Sequence, residues 1–220
     1  MKLHELLLWY SWIIGGFLLG SIMFSRLLPK LLMDRDITKD TPDQNPGAAN
    51  VFATCGVAMG LLCLALDLLK GFLPVYMASR SLDVAQLLFA AVLVAPVLGH
   101  AVGLFNHLHG GKCISTAFGV LLALLPVSRI IFLLAGLYIF FSVFVKINPN
   151  RRKSILVFTL FGIISVLYFV LNGQQSLALG CGTIGIIGVL KHTHRFSVVP
   201  DDEPEEEAPP VPEENRNNLP

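Results

Sequence analysis

The residues best suited to chemistry stand in a few short polar joints of an otherwise apolar chain. One joint, residues 106–112, reads Asn-His-Leu-His-Gly-Gly-Lys and ends in a turn with unobstructed backbone N–H groups beside the Lys112 ammonium. N–H donors and a fixed cation together suit a phosphate group. The spacing is not that of an ATP-binding P-loop, because Asn106 stands where such a loop has its first glycine. A tight turn with a solvated lysine explains the pattern equally well.

A second polar segment precedes the next long apolar run. It reads Asp43-Gln44-Asn45-Pro46-Gly47-Ala48-Ala49-Asn50 and combines side-chain amides with a glycine. Further along, Asp67 and Lys70 stand three residues apart, so that on a helix they share one face and neutralise each other. Charged groups at membrane depth are costly and mark either a functional site or a structural pair. The sequence leaves both interpretations of Asp67 and Lys70 open.

Histidines occur near the ends of the apolar runs. His100 closes one run, and two His-x-His pairs are formed by His107 with His109 and by His192 with His194. Four imidazoles are able to bind zinc or copper, but no carboxylate or thiolate is spaced to join them. We therefore interpret them as histidines of the membrane interface, and we predict no metal site and no cofactor.

The segments that must position these residues are apolar. Of the 220 residues, 54% are hydrophobic and 14% are charged, whereas an average soluble domain has about a quarter charged residues. This composition argues against a soluble enzyme, a DNA-binding domain and a disulfide scaffold. Continuous apolar runs of membrane-spanning length indicate helices in lipid. We predict an all-α, polytopic membrane helical bundle of seven transmembrane helices, near residues 6–25, 55–79, 84–104, 114–127, 130–146, 154–171 and 174–191.

Basic residues predict the orientation of the bundle, because cytoplasmic loops carry an excess of lysine and arginine. With the N-terminus outside, only Lys2, Arg80 and Arg129 fall on the outer side, and twelve basic residues fall on the inner side. The inner set is Arg26, Lys30, Arg35, Lys39, Lys112, Lys146, Arg151, Arg152, Lys153, Lys191, Arg195 and Arg216. We therefore predict an external N-terminus, a cytoplasmic C-terminus, and the polar joints at the cytoplasmic face.

The chain divides into a membrane domain, residues 1–199, and a tail, residues 200–220. Eight of the fifteen acidic residues lie in that tail, which is also rich in proline. Such a segment cannot bury a core, and we predict that it is disordered and cytoplasmic. Within the membrane domain, small residues recur at helix-packing spacing, as in Gly16-x-x-x-Gly20 and Gly56-x-x-x-Gly60, and predict close helix contacts.

Taken in chain order, these motifs resemble those of one family. Asn45-Pro46-Gly47-Ala48-x-Asn50-Val51 resembles its first motif, and Asp67-Leu68-Leu69-Lys70-Gly71 resembles its D-x-x-K-G helix. Gly99-His100, followed by Gly110-Gly111-Lys112 and Thr116, resembles its second motif. From about residue 15 to residue 196, the chain is identified as a divergent member of the bacterial acyl-phosphate:glycerol-3-phosphate acyltransferase family, the PlsY type.

The resemblance implies a seven-helix enzyme of phospholipid synthesis in the bacterial inner membrane. The family transfers an acyl chain from acyl phosphate to the 1-hydroxyl of glycerol 3-phosphate, which gives lysophosphatidic acid. The implied partners are these two substrates and membrane lipid, with no nucleic acid, while the acidic tail suits a protein partner. Because acyl phosphate is an activated mixed anhydride, positioning and charge stabilisation suffice without a covalent enzyme intermediate.

By matching position, the resemblance also assigns the site residues. Lys112 supplies a fixed positive charge and His192 matches a C-terminal histidine of the family, so these two are the expected catalytic residues. The expected substrate-binding residues are Asn45, Gly47, Asn50, Asp67, Lys70, His100, Gly110, Gly111, Thr116, Ser154 and Arg195. The reaction would then take place at the cytoplasmic face.

Several polar positions of the family differ in this chain. Asp43 stands where the family has serine, Ala53 where it has arginine, and Arg195 where it has asparagine. We expect Asp43 to repel an anionic ligand, and each missing charge-assisted hydrogen bond costs about 1.5–3 kcal/mol. Two interpretations remain. Either Arg151, Arg152 and Arg195 compensate in a working acyltransferase, or the chain is a non-catalytic paralogue that binds a lipid phosphate or a partner protein.

Overall fold

The fold consists of apolar helices joined by short polar connections. The computed structural model describes residues 2–193 and is all-helical over that range, which confirms the predicted all-α class. Its α-helices are α1 (Leu3–Gly20), α2 (Phe24–Met33), α3 (Ile37–Asp40), α4 (Ala48–Ser81), α5 (Phe89–Val102), α6 (Ile114–Ala123), α7 (Ile131–Ile139), α8 (Asn150–Leu171) and α9 (Gln175–His192). A 3₁₀ turn, Leu104–Asn106, follows α5, and a π-helical segment, Phe140–Phe144, continues α7.

The helices α1 and α4 to α9 overlap the predicted apolar segments, although several of their ends differ. Within residues 2–193, the helices long and apolar enough to cross a membrane are Leu3–Gly20, Ala48–Ser81, Phe89–Asn106 and Asn150–Leu171. Two others, Ile114–Ala123 and Ile131–Phe144, are apolar but shorter. The ten residues of α6 rise about 15 Å, which is about half the hydrocarbon core of a bilayer. The apolar helices therefore differ in how much of the hydrocarbon thickness their length can cover.

The first apolar segment ends earlier than its sequence pattern predicts. Helix α1 stops at Gly20, and after a three-residue break the chain starts the separate helix α2. The Ser21 hydroxyl donates to the Phe17 carbonyl oxygen at 2.8 Å and satisfies one of the last carbonyl groups of α1. On α2, Leu27 and Leu31 are exposed whereas Ser25 is buried. This amphipathic helix therefore packs one face on the bundle and leaves the other open.

Helix α4 starts before its predicted first residue and bends at Gly56. Gly56 has a φ of +83°, a conformation that glycine adopts without strain. The predicted close helix contact at this position is wrong, because the space beside Gly56 is open and Gly60 faces Phe52 of its own helix. Because of the bend, the axis of residues 48–55 differs in direction from the axis of the rest of α4. Asn50 lies in this first part of the helix.

Close backbone contacts hold α5 inside the bundle. Gly20 of α1 lies against the Pro96 backbone, and Gly99 of α5 lies against the Phe17 backbone. A side chain at either glycine would push the two helices apart. The side chains of Phe89, Leu93 and Val97 are fully buried along α5. The polar C-terminal end of α5 is thereby fixed relative to α1.

Candidate functional site

The loop before α4 and the turn before α6 meet at one end of the bundle. We call this region, residues 43–50 and 110–112, the rim. Lys112 Nζ donates a hydrogen bond to Asp43 Oδ2 over 2.8 Å, although the two residues are 69 positions apart. Asn50 Nδ2 donates to Asp43 Oδ1 at 2.7 Å and to the Asn45 carbonyl oxygen at 2.9 Å. Gly47 begins this arrangement as the N-cap of α4. The structure thus joins Asn45, Asn50 and Lys112, three predicted site residues, through Asp43.

Pairing with Lys112 adds to the role expected of Asp43. The Lys112 and Asp43 side chains are 38% and 43% exposed. Partial burial opposes ionisation of the carboxyl, but the hydrogen bond and charge of Lys112 outweigh it, so the pKa of Asp43 lies below its ordinary value. The carboxylate is therefore ionised at neutral pH. Asp43 would repel an anion, and it also forms an ion pair with the Lys112 ammonium, which is the cation that a bound anion would contact.

The turn at residues 110–112 is held by α5 and α9. The Gly111 N–H donates to the His100 carbonyl oxygen at 3.0 Å, and a side chain at Gly111 would overlap the His100 imidazole. Lys191 Nζ donates to the Gly110 carbonyl oxygen at 3.3 Å. His100 is buried, and its Nδ1 has no hydrogen-bond partner among the described residues. Two predicted glycines and the predicted histidine therefore form one packed unit beneath the rim.

The C-terminal end of α9 brings His192 to the same side of the molecule. Its Nδ1 lies 2.7 Å from the Gly188 carbonyl oxygen, and its buried Nε2 has no hydrogen-bond partner in residues 2–193. The charges of Lys112, Arg151 and Lys191 all act on the imidazole. The structure therefore places the two predicted catalytic residues within electrostatic reach of each other.

The first turns of α8 add two contacts on this side. Arg151 Nε donates to the His192 carbonyl oxygen at 2.7 Å. The buried Ser154 hydroxyl accepts a hydrogen bond from the Tyr138 hydroxyl at 3.2 Å, which joins α8 to α7. Within residues 2–193, no hydrogen bond joins Ser154 to Lys112. The sequence analysis missed Tyr138, because a tyrosine within an apolar run resembles any membrane-facing aromatic residue.

Asp67 and Lys70 form a separate, buried cluster. Lys70 Nζ lies 2.8 Å from Asp67 Oδ1, and the two side chains are 0% and 2% exposed. This contact is ionic, because Oδ1 receives no hydrogen bond of good geometry. Ser25 donates to Asp67 Oδ2 at 2.6 Å, and Lys70 also donates to the Ile22 carbonyl oxygen. The cluster joins α4 to the break between α1 and α2, which favours the structural interpretation of the pair.

Thr116 occupies the interface between α6 and α4. It is fully buried, and its backbone lies directly against Gly71. Its hydroxyl has no hydrogen-bond partner in the described part of the chain. Of the other predicted residues, Arg195 and His194 lie outside the described residues, as does the predicted tail, residues 200–220.

Arg26 of α2 binds residues next to the rim, and the sequence analysis did not assign it to the site. Arg26 Nε and Nη2 donate to the two Asp36 carboxylate oxygens at 2.9 and 2.7 Å, and its Nη1 donates to Asn106 Oδ1. Asp36 in turn caps α3 by accepting the Thr38 N–H. The hydrogen bonds from Arg26 hold the pKa of Asp36 well below its usual range. Arg26 thus fixes α2 and α3 against the joint that carries Lys112.

The histidine pairs contribute no metal cluster to the described structure. Within residues 2–193, no three His, Cys, Asp or Glu side chains converge as metal ligands would. His109 Nδ1 instead lies 2.8 Å from the His107 carbonyl oxygen, a contact local to the joint. The second pair is only half described, because His194 lies beyond residue 193.

Proteins of one family are similar in sequence to this chain. A family model described as glycerol-3-phosphate acyltransferase matches residues 10–199. The glycerol-3-phosphate acyltransferase of Maridesulfovibrio salexigens is 38% identical over 132 residues, which make up 59% of this chain and 67% of that protein. The glycerol-3-phosphate acyltransferase of Hydrogenobaculum sp. is 31% identical over 184 residues, 83% of this chain and 88% of that protein.

Solved structures share the fold. Two crystal structures of PlsY (YgiH), an integral membrane glycerol 3-phosphate acyltransferase, are 26% identical to this chain and cover 84% of it. The lysophosphatidic acid form has a TM-score of 0.69 over 87% of its own chain, and the glycerol 3-phosphate form has a TM-score of 0.71 over 88%. The predicted family is thereby confirmed. This chain belongs to the glycerol-3-phosphate acyltransferase family and has the fold of its integral membrane members.

Proposed function

We propose that this chain is a membrane glycerol-3-phosphate acyltransferase of phospholipid synthesis, with acyl phosphate as donor and lysophosphatidic acid as product. One observation carries the proposal: Lys112, its glycine turn and Asn50 converge at the rim of an apolar helical bundle. A phosphate head needs a cation and N–H donors, whereas an acyl tail needs an apolar surrounding. This rim offers both to one amphipathic substrate.

The reaction needs few protein groups at this rim. The 1-hydroxyl oxygen of glycerol 3-phosphate attacks the acyl carbon, an ester bond forms, the bond from the acyl carbon to the phosphate oxygen breaks, and inorganic phosphate leaves. Lys112 balances the charge of the phosphate groups, and Nε2 of His192 accepts the hydroxyl proton. Because the donor is already activated, positioning of the two substrates supplies much of the remaining acceleration.

We infer that the substrate-binding residues act in two groups. The rim group, Asn45, Gly47, Asn50, Gly110 and Gly111, shapes the phosphate site. The buried group, His100, Asp67, Lys70 and Thr116, supports that site from the interior of the bundle. Ser154 and Arg195 are assigned to substrate binding by their resemblance to family positions.

We also infer seven membrane crossings, an external N-terminus, and a site on the cytoplasmic face of the bacterial inner membrane. The distribution of basic residues supports this orientation, and an odd number of crossings separates the termini. A cysteine at exposed Asp83 should react with an impermeant maleimide in intact cells. A cysteine at exposed Asn148 should react only after permeabilisation. The reverse pattern would overturn the orientation, and the unsubstituted protein gives the background from native cysteines.

Acyl transfer is the direct test of the proposed function. Membranes that contain this protein as their sole acyltransferase of this type should convert radiolabelled glycerol 3-phosphate and palmitoyl phosphate into lysophosphatidic acid. In Lys112→Ala we expect product formation to fall at least a hundredfold, because a charged stabilising contact of this kind contributes about 10²–10³ in rate. Lys30→Ala, which removes an exposed lysine of α2, is the matched control and should retain activity.

Absence of product from correctly inserted wild-type protein would reject catalysis and favour the non-catalytic paralogue.

Deletion of the tail is a second experiment. We propose that residues 1–199 form the catalytic membrane domain and that residues 200–220 serve a protein partner. Deletion of 200–220 should then preserve lysophosphatidic acid formation and change which proteins co-purify with the chain. Loss of activity on deletion would contradict this division.

A further inference from the structure

Lys191 of α9 binds two carbonyl oxygens beside the glycine turn of the rim. Its Nζ lies 3.0 Å from the carbonyl oxygen of Ala101, in the last turn of α5, and 3.3 Å from the carbonyl oxygen of Gly110. These two residues precede Lys191 by 90 and 81 positions in the sequence. One half-buried ammonium therefore connects α9, the end of α5 and the turn before α6.

The peptide group between Gly110 and Gly111 is held at both of its polar atoms. Its carbonyl oxygen accepts from Lys191, and its N–H donates to the His100 carbonyl oxygen at 3.0 Å. The turn also packs tightly, since a side chain at Gly110 would overlap the backbone of α5. This peptide group therefore has a fixed orientation. Lys112 follows it directly, so the orientation of the peptide determines where the Lys112 side chain starts.

The charge of Lys191 acts in the same direction as its hydrogen bonds. The last carbonyl groups of a helix form the negative end of the helix dipole, and that end of α5 lies beside the turn. Carbonyl oxygens without a donor at this position would repel an anion bound at Lys112. The Lys191 ammonium binds one carbonyl oxygen of α5 and one of the turn, and thereby offsets this repulsion.

We propose that Lys191 is a positioning residue of the site: it fixes the Gly110–Gly111 peptide group and thereby sets where the Lys112 ammonium meets a phosphate. Lys191 acts through the turn rather than on the substrate. The inference rests on the proposed function, because it gives Lys191 a part in the same site. Its first test is a measurement of geometry that needs no turnover.

Nuclear magnetic resonance can observe this one peptide group. The sequence contains two Gly-Gly pairs, Gly15–Gly16 and Gly110–Gly111. In the full chain in lipid bilayers, with glycine labelled by carbonyl ¹³C and by ¹⁵N, a spectrum that correlates each carbonyl carbon with the following nitrogen shows these two peptide groups. The Gly15–Gly16 signal from α1 is the internal control.

Lys191→Met keeps an unbranched side chain but removes the donors and the charge. We expect the Gly110 carbonyl carbon to move to lower chemical shift, because hydrogen bonding deshields a carbonyl carbon. Exchange of the Gly111 N–H with deuterated water should become about tenfold faster, because the peptide group loses a hydrogen bond from a charged donor. The Gly15–Gly16 signal should stay unchanged.

Turnover tests whether this geometry matters for acyl transfer. Per folded molecule, kcat/KM of Lys191→Met should fall between tenfold and a hundredfold, because small displacements of a positioned group are costly in rate. Lys191→Arg keeps donors and charge, and should restore most of both the spectrum and the rate. Lys30→Met removes an exposed lysine of α2 and is the matched control.

A second variant keeps the test decisive if Lys191→Met does not fold. Lys191→Gln keeps a polar group, but its side chain is one bond shorter and uncharged. It should change the Gly110–Gly111 signal and the rate in the same direction as Lys191→Met.

The outcomes distinguish this proposal from the proposed function. An unaltered Gly110–Gly111 signal, or an altered signal with normal turnover, would overturn the positioning role. Equal losses in Lys191→Met and Lys191→Arg would also overturn it. An altered signal in a protein whose wild type forms no lysophosphatidic acid would reject the acyltransferase and uphold Lys191 as the residue that orients the turn.

Discussion

Two aspartate–lysine pairs in the described structure have the same 2.8 Å separation and opposite surroundings. Asp67 and Lys70 are 2% and 0% exposed, and they are further tied to Ser25 and to a backbone carbonyl oxygen. The Asp43–Lys112 pair is about two-fifths exposed and joins two loops at the rim. The first pair is built into the contact of α4 with α1 and α2. The second lies where a ligand can reach it.

The two pairs differ in exposure and not in the distance between their charges, so exposure alone distinguishes a pair inside the bundle from one that a ligand can reach. A buried charge is costly without its partner, so the interior pair has no useful alternative to its present contacts. A half-exposed pair contributes at most about 1 kcal/mol, because water solvates both charges, and it can therefore exchange partners at low cost. Resemblance to the family predicts a site role for Lys70 and Lys112 alike, whereas the structure places the two lysines in different surroundings.

The largest effect on stability should come from removing one partner of the buried pair. In Lys70→Met the Asp67 carboxylate stays buried without its cation, and we expect the free energy of unfolding to fall by about 3–5 kcal/mol. Denaturation by SDS in mixed micelles measures this change. The double variant Asp67→Asn, Lys70→Met should recover much of the loss. An equal loss in the single and double variants would contradict the pairing.

The next prediction tests whether activity at the rim depends on the packing of the Gly111 turn against buried His100. In Gly111→Ala the new methyl group meets the buried His100 imidazole, so the turn must shift. Because a misplacement of about 1 Å can cost about a hundredfold in rate, we expect kcat/KM to fall between tenfold and a hundredfold. Gly136→Ala on α7 is the matched control, since nothing lies within 4 Å of its added Cβ. Equal activity of both variants would show that the turn moves freely.

A smaller effect is expected from the Arg26–Asp36 pair, whose side chains are 24% and 14% exposed. Asp36→Asn should lower the free energy of unfolding by about 1–2 kcal/mol at pH 7. The pKa of Asp36 is depressed in the folded state, so this stabilisation is present above the unfolded-state pKa of about 4 and is lost as the pH falls through the lower folded-state pKa.

Thermal unfolding of the wild type and Asp36→Asn, compared between pH 7 and pH 2, measures this dependence. The difference between the two proteins should stay constant from pH 7 to about pH 5 and should shrink only under stronger acid. A difference that stays the same from pH 7 to pH 2 would show that Arg26 does not depress the pKa.

The smallest effect on stability is expected at the rim. Asp43→Asn should change the free energy of unfolding by less than about 1 kcal/mol, because both partners are already partly solvated. SDS denaturation of this variant beside Lys70→Met makes the comparison direct, and a loss of similar size in both would remove the distinction between the pairs.

Much of the fold could be predicted from the sequence, because lipid permits few structures for long apolar runs. The helical class and the positions of the apolar helices α1 and α4 to α9 were predictable for that reason. The ends of the helices were harder to predict from the sequence. The break after Gly20 and the bend at Gly56 depend on single backbone conformations within continuous apolar pattern. The number of crossings and the orientation stay predictions.

Part of the candidate site could likewise be predicted from the sequence, and part is seen only in the structure. Resemblance to the family predicted that the motifs around Asn50 and Lys112 hold the phosphates together, and this assignment stays a prediction. Nothing in the spacing of the chain predicted that Asp43 would lie on Lys112, or that Arg26 would bind Asp36 and Asn106. Asp43 and Lys112 are 69 positions apart, and Arg26 and Asn106 are 80 positions apart. The residue type alone does not reveal which partner a polar side chain will have.

The sequence by itself determined the helical membrane character, the family and the residue types available at the site. Local composition carries that information, because the hydrophobic effect and backbone hydrogen bonding act on each segment. Only the tertiary structure decided which charges are buried, which are exposed, and which face each other. Electrostatic roles depend on distance and solvation, and both are set by the packing of separate helices. Asp43 and Asp67 are the same residue type, and their surroundings alone make one a rim charge and the other a structural partner.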